Sequence, residues 1–241
     1  MEIIKSKTSK ELGMAAAKLT AEKLNAAIAE KGFARIILST GASQFDTLEA
    51  LVKEDVDWSK VEMFHLDEYV NLPETHIASF RKYLKERFIN IVHPKEAYLV
   101  DGDHPQEAIK FLTEKITESP VDVGLIGIGE NAHIAFNDPP ADFLTKESYR
   151  IVNLDEKCRM QQVGEGWFES ISDVPAQAIS MTPYRIMQCK TIISSVPHAV
   201  KAWAVKNTVE SKETTPMIPA TLLKEHADWY LFVDENSGKD I

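Results

Sequence analysis

The sequence predicts an α/β protein built on a mostly parallel sheet with helices on both faces. Three observations carry this expectation. The apolar runs at 34–39 (ARIILS), 61–66 (VEMFHL) and 121–128 (VDVGLIGI) read as strands buried on both faces. The stretches between them have the three- and four-residue apolar spacing of helices. No Gly/Ser- or Pro-rich linker and no repeat interrupts the 241 residues, so a single domain over 1–241 is expected.

Thr8 and Glu11 have the spacing of a capping box, and Leu12, Ala16, Leu19 and Ile28 then stripe one face of a helix that Gly32 stops. The strand at 34–39 follows, then that at 61–66. Ile77, Phe80, Leu84 and Phe88 recur at intervals of three, four and four, which predicts an amphipathic helix. A short strand is expected at 97–100. Pro105 suits the first turn of a helix carrying Ala108, Leu112 and Ile116. The strand at 121–128 comes next. Weaker strands are expected at 149–154, 177–181, 190–196 and 229–233, with helices near 155–163, 198–209 and 219–226.

Composition narrows the function. With 44% hydrophobic and 27% charged residues the chain has the makings of a packed core, which excludes a disordered or collagen-like protein. Lys and Arg number 27 against 37 Asp and Glu, a net charge of −10 that argues against a nucleic-acid partner. No apolar stretch approaches the roughly 20 residues of a membrane span, and MEIIKSKTSKEL lacks the apolar core of a signal peptide. Cys158 and Cys189 form no CxxC pair, so both are expected as buried thiols in a reducing, cytoplasmic setting.

In parallel α/β sheets ligands bind beyond the carboxyl ends of the strands. The residues there are Thr40–Gln44, Asp67–Tyr69 and Gly129–Asp138. The first segment, STGASQF, has the small hydroxyl and glycine residues that close around an anion, with Gly41 free to take positive φ; the same residues also serve an ordinary βα turn. It lacks the Gly-Lys-Ser/Thr of a P-loop. In the second, HLDEYVNLP, desolvation at a strand end would raise a carboxylate toward the range of a general base. Asp67 and Glu68 are adjacent on an extended chain, so at most one faces a given substrate; a helix cap or surface pair is the other reading. The third segment matches a dinucleotide GxGxxG/A pattern in letters only, because Pro139 and Pro140 end any helix that follows. His133, flanked by Glu130, Asn131 and Asp138, is the more informative residue, since an acid beside an imidazole orients it and stabilises its charged form. Two proton carriers of different pKa on neighbouring strand ends suit a reaction with two proton transfers. No metal-ligand pattern and no nucleophile elbow is present among the seven histidines and the serines.

Together, STGASQ, LDEYVNLP and GIGENAHIAFNDPP resemble the glucosamine-6-phosphate deaminase (isomerase) family over nearly the whole chain. The resemblance implies a three-layer αβα fold shared with 6-phosphogluconolactonase and, more distantly, with ribose-5-phosphate isomerase and CoA transferases. It implies a cofactor-free conversion of an amino-sugar 6-phosphate to a ketose phosphate and ammonia, in a protein whose partner is a small sugar phosphate and which can form a homo-oligomer. Carried over, Asp67 is the base that moves a proton between carbons 2 and 1. His133 is the ring-opening acid/base, with Asp138 as its carboxylate partner. Thr40, Gly41, Ala42 and Ser43 form the phosphate loop, Lys201 grips the phosphate, and Glu68 and Arg159 join as substrate or phosphate ligands. Two positions depart from the family. Ala42 stands where a second Gly is usual, and Asn131 stands where an Asp is usual: either Glu130 alongside takes over, or ring opening runs with one carboxylate, or the subgroup acts on another sugar phosphate. Two further readings are a 6-phosphogluconolactonase-type hydrolase, against which Tyr69 stands where that family has Arg, and a non-catalytic sugar-phosphate sensor. No allosteric site is carried over.

Overall fold

The computed structural model describes residues 1–241. Strand β1 (Glu2–Ser6) leads into helix α1 (Ser9–Lys31), then β2 (Ala34–Leu38), α2 (Phe45–Leu51), β3 (Val61–His65) and β4 (Asp67–Tyr69). Helix α3 (Phe80–Leu84) continues through a π turn at Lys85–Ile89 into the single turn α4 (Asn90–Val92). Next come β5 (Glu96–Tyr98), α5 (Pro105–Thr117), β6 (Val123–Leu125), β7 (Tyr149–Asn153), α6 (Glu156–Gly164) and β8 (Gln177–Met181). The chain ends with α7 (Pro183–Ile186), β9 (Thr191–Val196), α8 (Ala202–Glu210) and β10 (Trp229–Asp234).

Seven strands form the central sheet in the order β1-β10-β9-β6-β2-β3-β5, and every neighbouring pair is parallel. The register sets Ile36 against both Met63 and Val123, and Ile37 against Phe64. Because strand side chains alternate, Ile36 and Leu38 pack with Leu12, Ala16 and Leu24 of α1, while Ile37 packs with Leu112 and Ile116 of α5 on the other face. The predicted three layers are present. A second sheet is smaller and antiparallel, ordered β4-β8-β7, and covers a third apolar cluster of Tyr69, Phe80, Phe136, Cys158 and Phe168.

Local signals explain the element ends. The Thr8 side chain accepts the backbone N–H of Glu11 at 3.1 Å, and Gly32 closes α1 in the left-handed region at φ 84°. Gly13 lets α1 approach α2: a Cβ there would stand 2.6 Å from the Asp46 carbonyl carbon. At the amino ends of the strands, buried Arg35 donates to Glu62 at 3.1 Å and to the carbonyls of Lys115, Ile116 and Ser119, capping the end of α5.

Some expectations need correction. The helix drawn from Ile77 begins only at Phe80, since the Ser79 side chain caps it and Ile77 is left 64% exposed. The segment Pro219–Glu225 is 3₁₀ rather than α-helical. Strand β1, half exposed beside β10, and the three-residue β4 carry too little pattern to be anticipated. Both cysteines are free and buried, and no helix is long and apolar enough to cross a membrane.

Candidate active site

At the carboxyl ends of the strands the chain leaves a cleft of about 390 Å³. Its walls include the β2 loop at Ser39, Thr40, Gly41, Ala42 and Ser43, then Asp67 from β4, and Gly129, Glu130 and His133 from the loop after β6. Lys201 enters from the turn before α8, and Gln161, Gln162, Glu165 and Trp167 come from α6 and just beyond it.

The β2 loop turns at Gly41, whose φ of 98° suits glycine, and its carbonyl accepts the Tyr83 hydroxyl at 3.0 Å. Gln44 braces the loop by donating to Ser43 Oγ and to the Ser195 carbonyl, each at 3.1 Å. Lys201 is 6% exposed, and burial pulls its ammonium below the usual lysine range, opposed by the negative charges of Glu165 and Glu130. A buried cation beside a loop of hydroxyls and backbone N–H groups is an anion cradle.

Asp67 is 6% exposed, and burial, with a further contribution from the Glu68 charge, pushes its carboxyl up to about 8. That value places the gain and loss of its proton near neutrality. His133 lies on a loop without helix. Its backbone carbonyl accepts the Gly129 N–H at 2.9 Å, and Ala132 and Ala135 both hold positive φ, at 67° and 51°. Its Nδ1 stands 3.1 Å from Asp138 Oδ1. The same oxygen accepts Asn131 Nδ2 at 3.0 Å, while Asn131 Oδ1 accepts the His133 backbone N–H at 3.1 Å. Burial works to raise the Asp138 carboxyl, but His133, Asn131 and Cys158 together hold it below the ordinary value. The arrangement can therefore keep a negative charge beside the imidazole. No three His, Cys, Asp or Glu side chains converge as metal ligands would.

Comparison with known proteins gives the family. The family described as glucosamine-6-phosphate isomerases/6-phosphogluconolactonase matches residues 7–231. A glucosamine-6-phosphate deaminase of Streptococcus equi subsp. equi (strain 4047) is 32% identical over 243 residues, which is 100% of both chains. The chain belongs to this family. Another relative, a glucosamine-6-phosphate deaminase of Latilactobacillus sakei subsp. sakei (strain 23K), is 36% identical over 201 residues, 82% of this chain and 83% of its own. Among solved structures, a monomeric glucosamine-6-phosphate deaminase superposes with a TM-score of 0.89 at 26% identity over 100% of both chains. The 6-phosphogluconolactonase of Trypanosoma brucei shares the fold, with a TM-score of 0.81 at 16% identity over 100% of this chain and 98% of that one.

Against the residues that the family resemblance suggested, the structure brings Thr40, Gly41, Ala42, Ser43, Asp67, Glu130, His133 and Lys201 to one cleft. Asp138 and Asn131 stand behind His133 and hold it. Two residues are corrected. Glu68 is fully buried and points away from the cleft, accepting hydrogen bonds from Tyr69, Ser79, Phe80 and Arg81, so it is no substrate ligand. Arg159 donates to the carbonyls of Ile171 and Val174, at 2.6 and 3.1 Å, and lies outside the cleft. It faces away because Gln161, Gln162 and Glu165 occupy the cleft side of α6 and the residue after it. Those three, with Trp167 and His198, are cleft residues that sequence reasoning missed. The signal lay within reach for His198, three residues before Lys201.

Proposed function

We propose that this chain is a deaminating aldose–ketose isomerase, converting an amino-sugar 6-phosphate, glucosamine 6-phosphate before its galacto epimer, to the ketose 6-phosphate and ammonia. The observation that carries the reading is the sharing of one cleft by Asp67, by His133 with its Asp138 partner, and by the Thr40–Ser43 loop with Lys201. The loop and Lys201 hold the phosphate. His133 passes the proton of the anomeric hydroxyl to the ring oxygen, and the ring opens. Asp67 takes the proton from carbon 2, which gives an enolamine, and returns it to carbon 1. The resulting imine is hydrolysed by water, releasing ammonia and the ketose. A base whose pKa lies near the working pH can both accept and give back that proton.

The reaction is set in the cytoplasm and in a single domain over 1–241, in keeping with the two buried free thiols and the family match at 7–231. The deciding experiment is an ammonia-release assay on glucosamine 6-phosphate, galactosamine 6-phosphate and their N-acetyl forms. Ammonia from a free amino sugar supports the reading. Acid formed from 6-phosphogluconolactone, with no ammonia from any of the four, replaces it with the hydrolase. Binding of sugar phosphate with neither product makes the chain a sensor.

A further inference from the structure

Glu68 follows the cleft carboxylate Asp67 directly in sequence, yet it is fully buried on the opposite side of β4. Its oxygens are saturated. Oε1 accepts the backbone N–H groups of Tyr69 at 2.9 Å and Phe80 at 3.3 Å. Oε2 accepts the Ser79 hydroxyl at 3.0 Å and the Arg81 backbone N–H at 2.8 Å, with Arg81 Nε at 3.5 Å. Four donors converge on the four acceptor positions of one carboxylate. Three of the four are backbone N–H groups, which can only donate, so the surroundings favour Glu68 as an anion and oppose the burial that raises its carboxyl. Asp67 has no protein hydrogen-bond partner of that kind, and its side chain borders the cleft.

We infer that Glu68 is a positioning residue: held ionised by the start of α3, it places the single proton of the Asp67–Glu68 pair on Asp67 and so sets the proton affinity of the catalytic base. The inference rests on the proposed role of Asp67. Two adjacent carboxylates out of water cannot both ionise freely, and the pair titrates as a unit in which the better solvated partner keeps the charge. Here Glu68 is the better solvated, by protein donors rather than water. Arg81 offsets its charge only in part, since the guanidinium also faces Asp101 and Asp103, both at 3.3 Å. The other ionisable groups around Asp67 are Tyr69 on β4, Tyr149 on β7 and Cys158 on α6, together with His133, Glu130, Glu165 and Lys201 along the cleft. Burial raises the Tyr69, Tyr149 and Cys158 groups above their usual values, so these three stay neutral across the relevant range. The charge that adds to burial at Asp67 is that of Glu68. The high proton affinity of the base thus has a structural source outside the cleft.

The test separates this inference from the deaminase reading because it needs no substrate. The full chain is labelled with ¹³C at Asp and Glu carboxyls, Asp67 is assigned with Asp67→Asn and Glu68 with Glu68→Gln, and both are titrated by NMR. In the wild-type protein Asp67 should titrate near 8, and Glu68 should lose its proton at lower pH than Asp67. In Glu68→Gln the Asp67 midpoint should fall by about one pH unit or more, because the neighbouring negative charge is gone. The acid limb of kcat/KM should fall with it. A Glu68 carboxyl that titrates near 8 while Asp67 titrates low would overturn the inference, as would an unmoved Asp67 in folded Glu68→Gln. Should that variant not fold, Glu68 is assigned through sequential backbone connectivities, and the wild-type titration alone decides. A shifted Asp67 with no ammonia release would leave the inference standing and remove the deaminase reading.

Discussion

Gly129 stands flat against the imidazole of His133: a Cβ built on it would lie 2.2 Å from Cε1 and 2.3 Å from Nε2. Real contacts are never that short, so the ring occupies its place only because residue 129 has no side chain. The backbone of Gly129 is not in the left-handed region, and alanine there is opposed by the ring alone. Gly129→Ala should therefore fold but turn the imidazole out of its pairing with Asp138. The expected loss is about 10²–10⁴-fold in kcat, the usual worth of one placed acid/base group. Steady-state kinetics beside far-UV circular dichroism checks it, and a kcat within twofold of wild type would separate the ring's position from catalysis.

Asp67→Asn should abolish ammonia release while leaving inhibition by inorganic phosphate nearly unchanged, since the cradle lies elsewhere in the cleft. It should also stabilise the protein, in one direction of pH. The folded-state pKa of Asp67, about 8, exceeds the ordinary 3.8, so the folded state binds the extra proton. Whatever stability that proton confers is complete below pH 3.8 and is lost as pH rises through about 8. Asparagine carries no such penalty. Urea melts should show the variant gaining on the wild type from acid to alkaline pH, by about 1–3 kcal/mol at the alkaline end. Parallel curves would mean that Asp67 is ionised in ordinary surroundings.

Lys201→Ala removes the one buried ammonium that borders the cleft. A charge-assisted hydrogen bond to an anion contributes about 1.5–3 kcal/mol, so KM should rise about tenfold to a hundredfold, with a smaller change in kcat. The inhibition constant of inorganic phosphate should rise by the same factor. A selective fall in kcat instead would move Lys201 from binding to the chemistry.

How much of this was legible beforehand follows from burial. Strands β2, β3 and β6 announce themselves because apolar residues cover both of their faces. Strand β1 does not, because it lies at the sheet edge with its faces half in water. In the cleft, the strand-end segments containing Asp67 and His133 stood out because polar groups there break an apolar run. The alternation of a strand also says that only one of Asp67 and Glu68 can face a ligand, but the facing residue depends on where α3 begins, and that is set by Ser79. The same limit holds at Arg159. The phase of a short helix decides which side chain looks into the cleft, and here the carbonyls of Ile171 and Val174 hold the Arg159 guanidinium on the other side.

Arg35→Ala should be the most destabilising change far from the cleft. Arg35 is 1% exposed and holds Glu62 together with three carbonyls at the end of α5. Removing one member of a buried charged network costs about 3–5 kcal/mol. Denaturant melts would show this as a lower midpoint at unchanged slope. A loss under about 1 kcal/mol would mean that water reaches the network.

Asp67 rides on the three-stranded antiparallel sheet, whereas the loop of His133 leaves the seven-stranded one after β6. Ser180 fastens the two together: it lies opposite Asp67 in the β4–β8 register, and its hydroxyl accepts the Phe136 N–H at 3.0 Å. The span between base and acid is thus fixed by one small side chain that touches neither. Ser180→Ala should lower turnover while leaving far-UV ellipticity as it is, and unchanged turnover would show that the remaining tie from Asn137 to the Met181 carbonyl suffices.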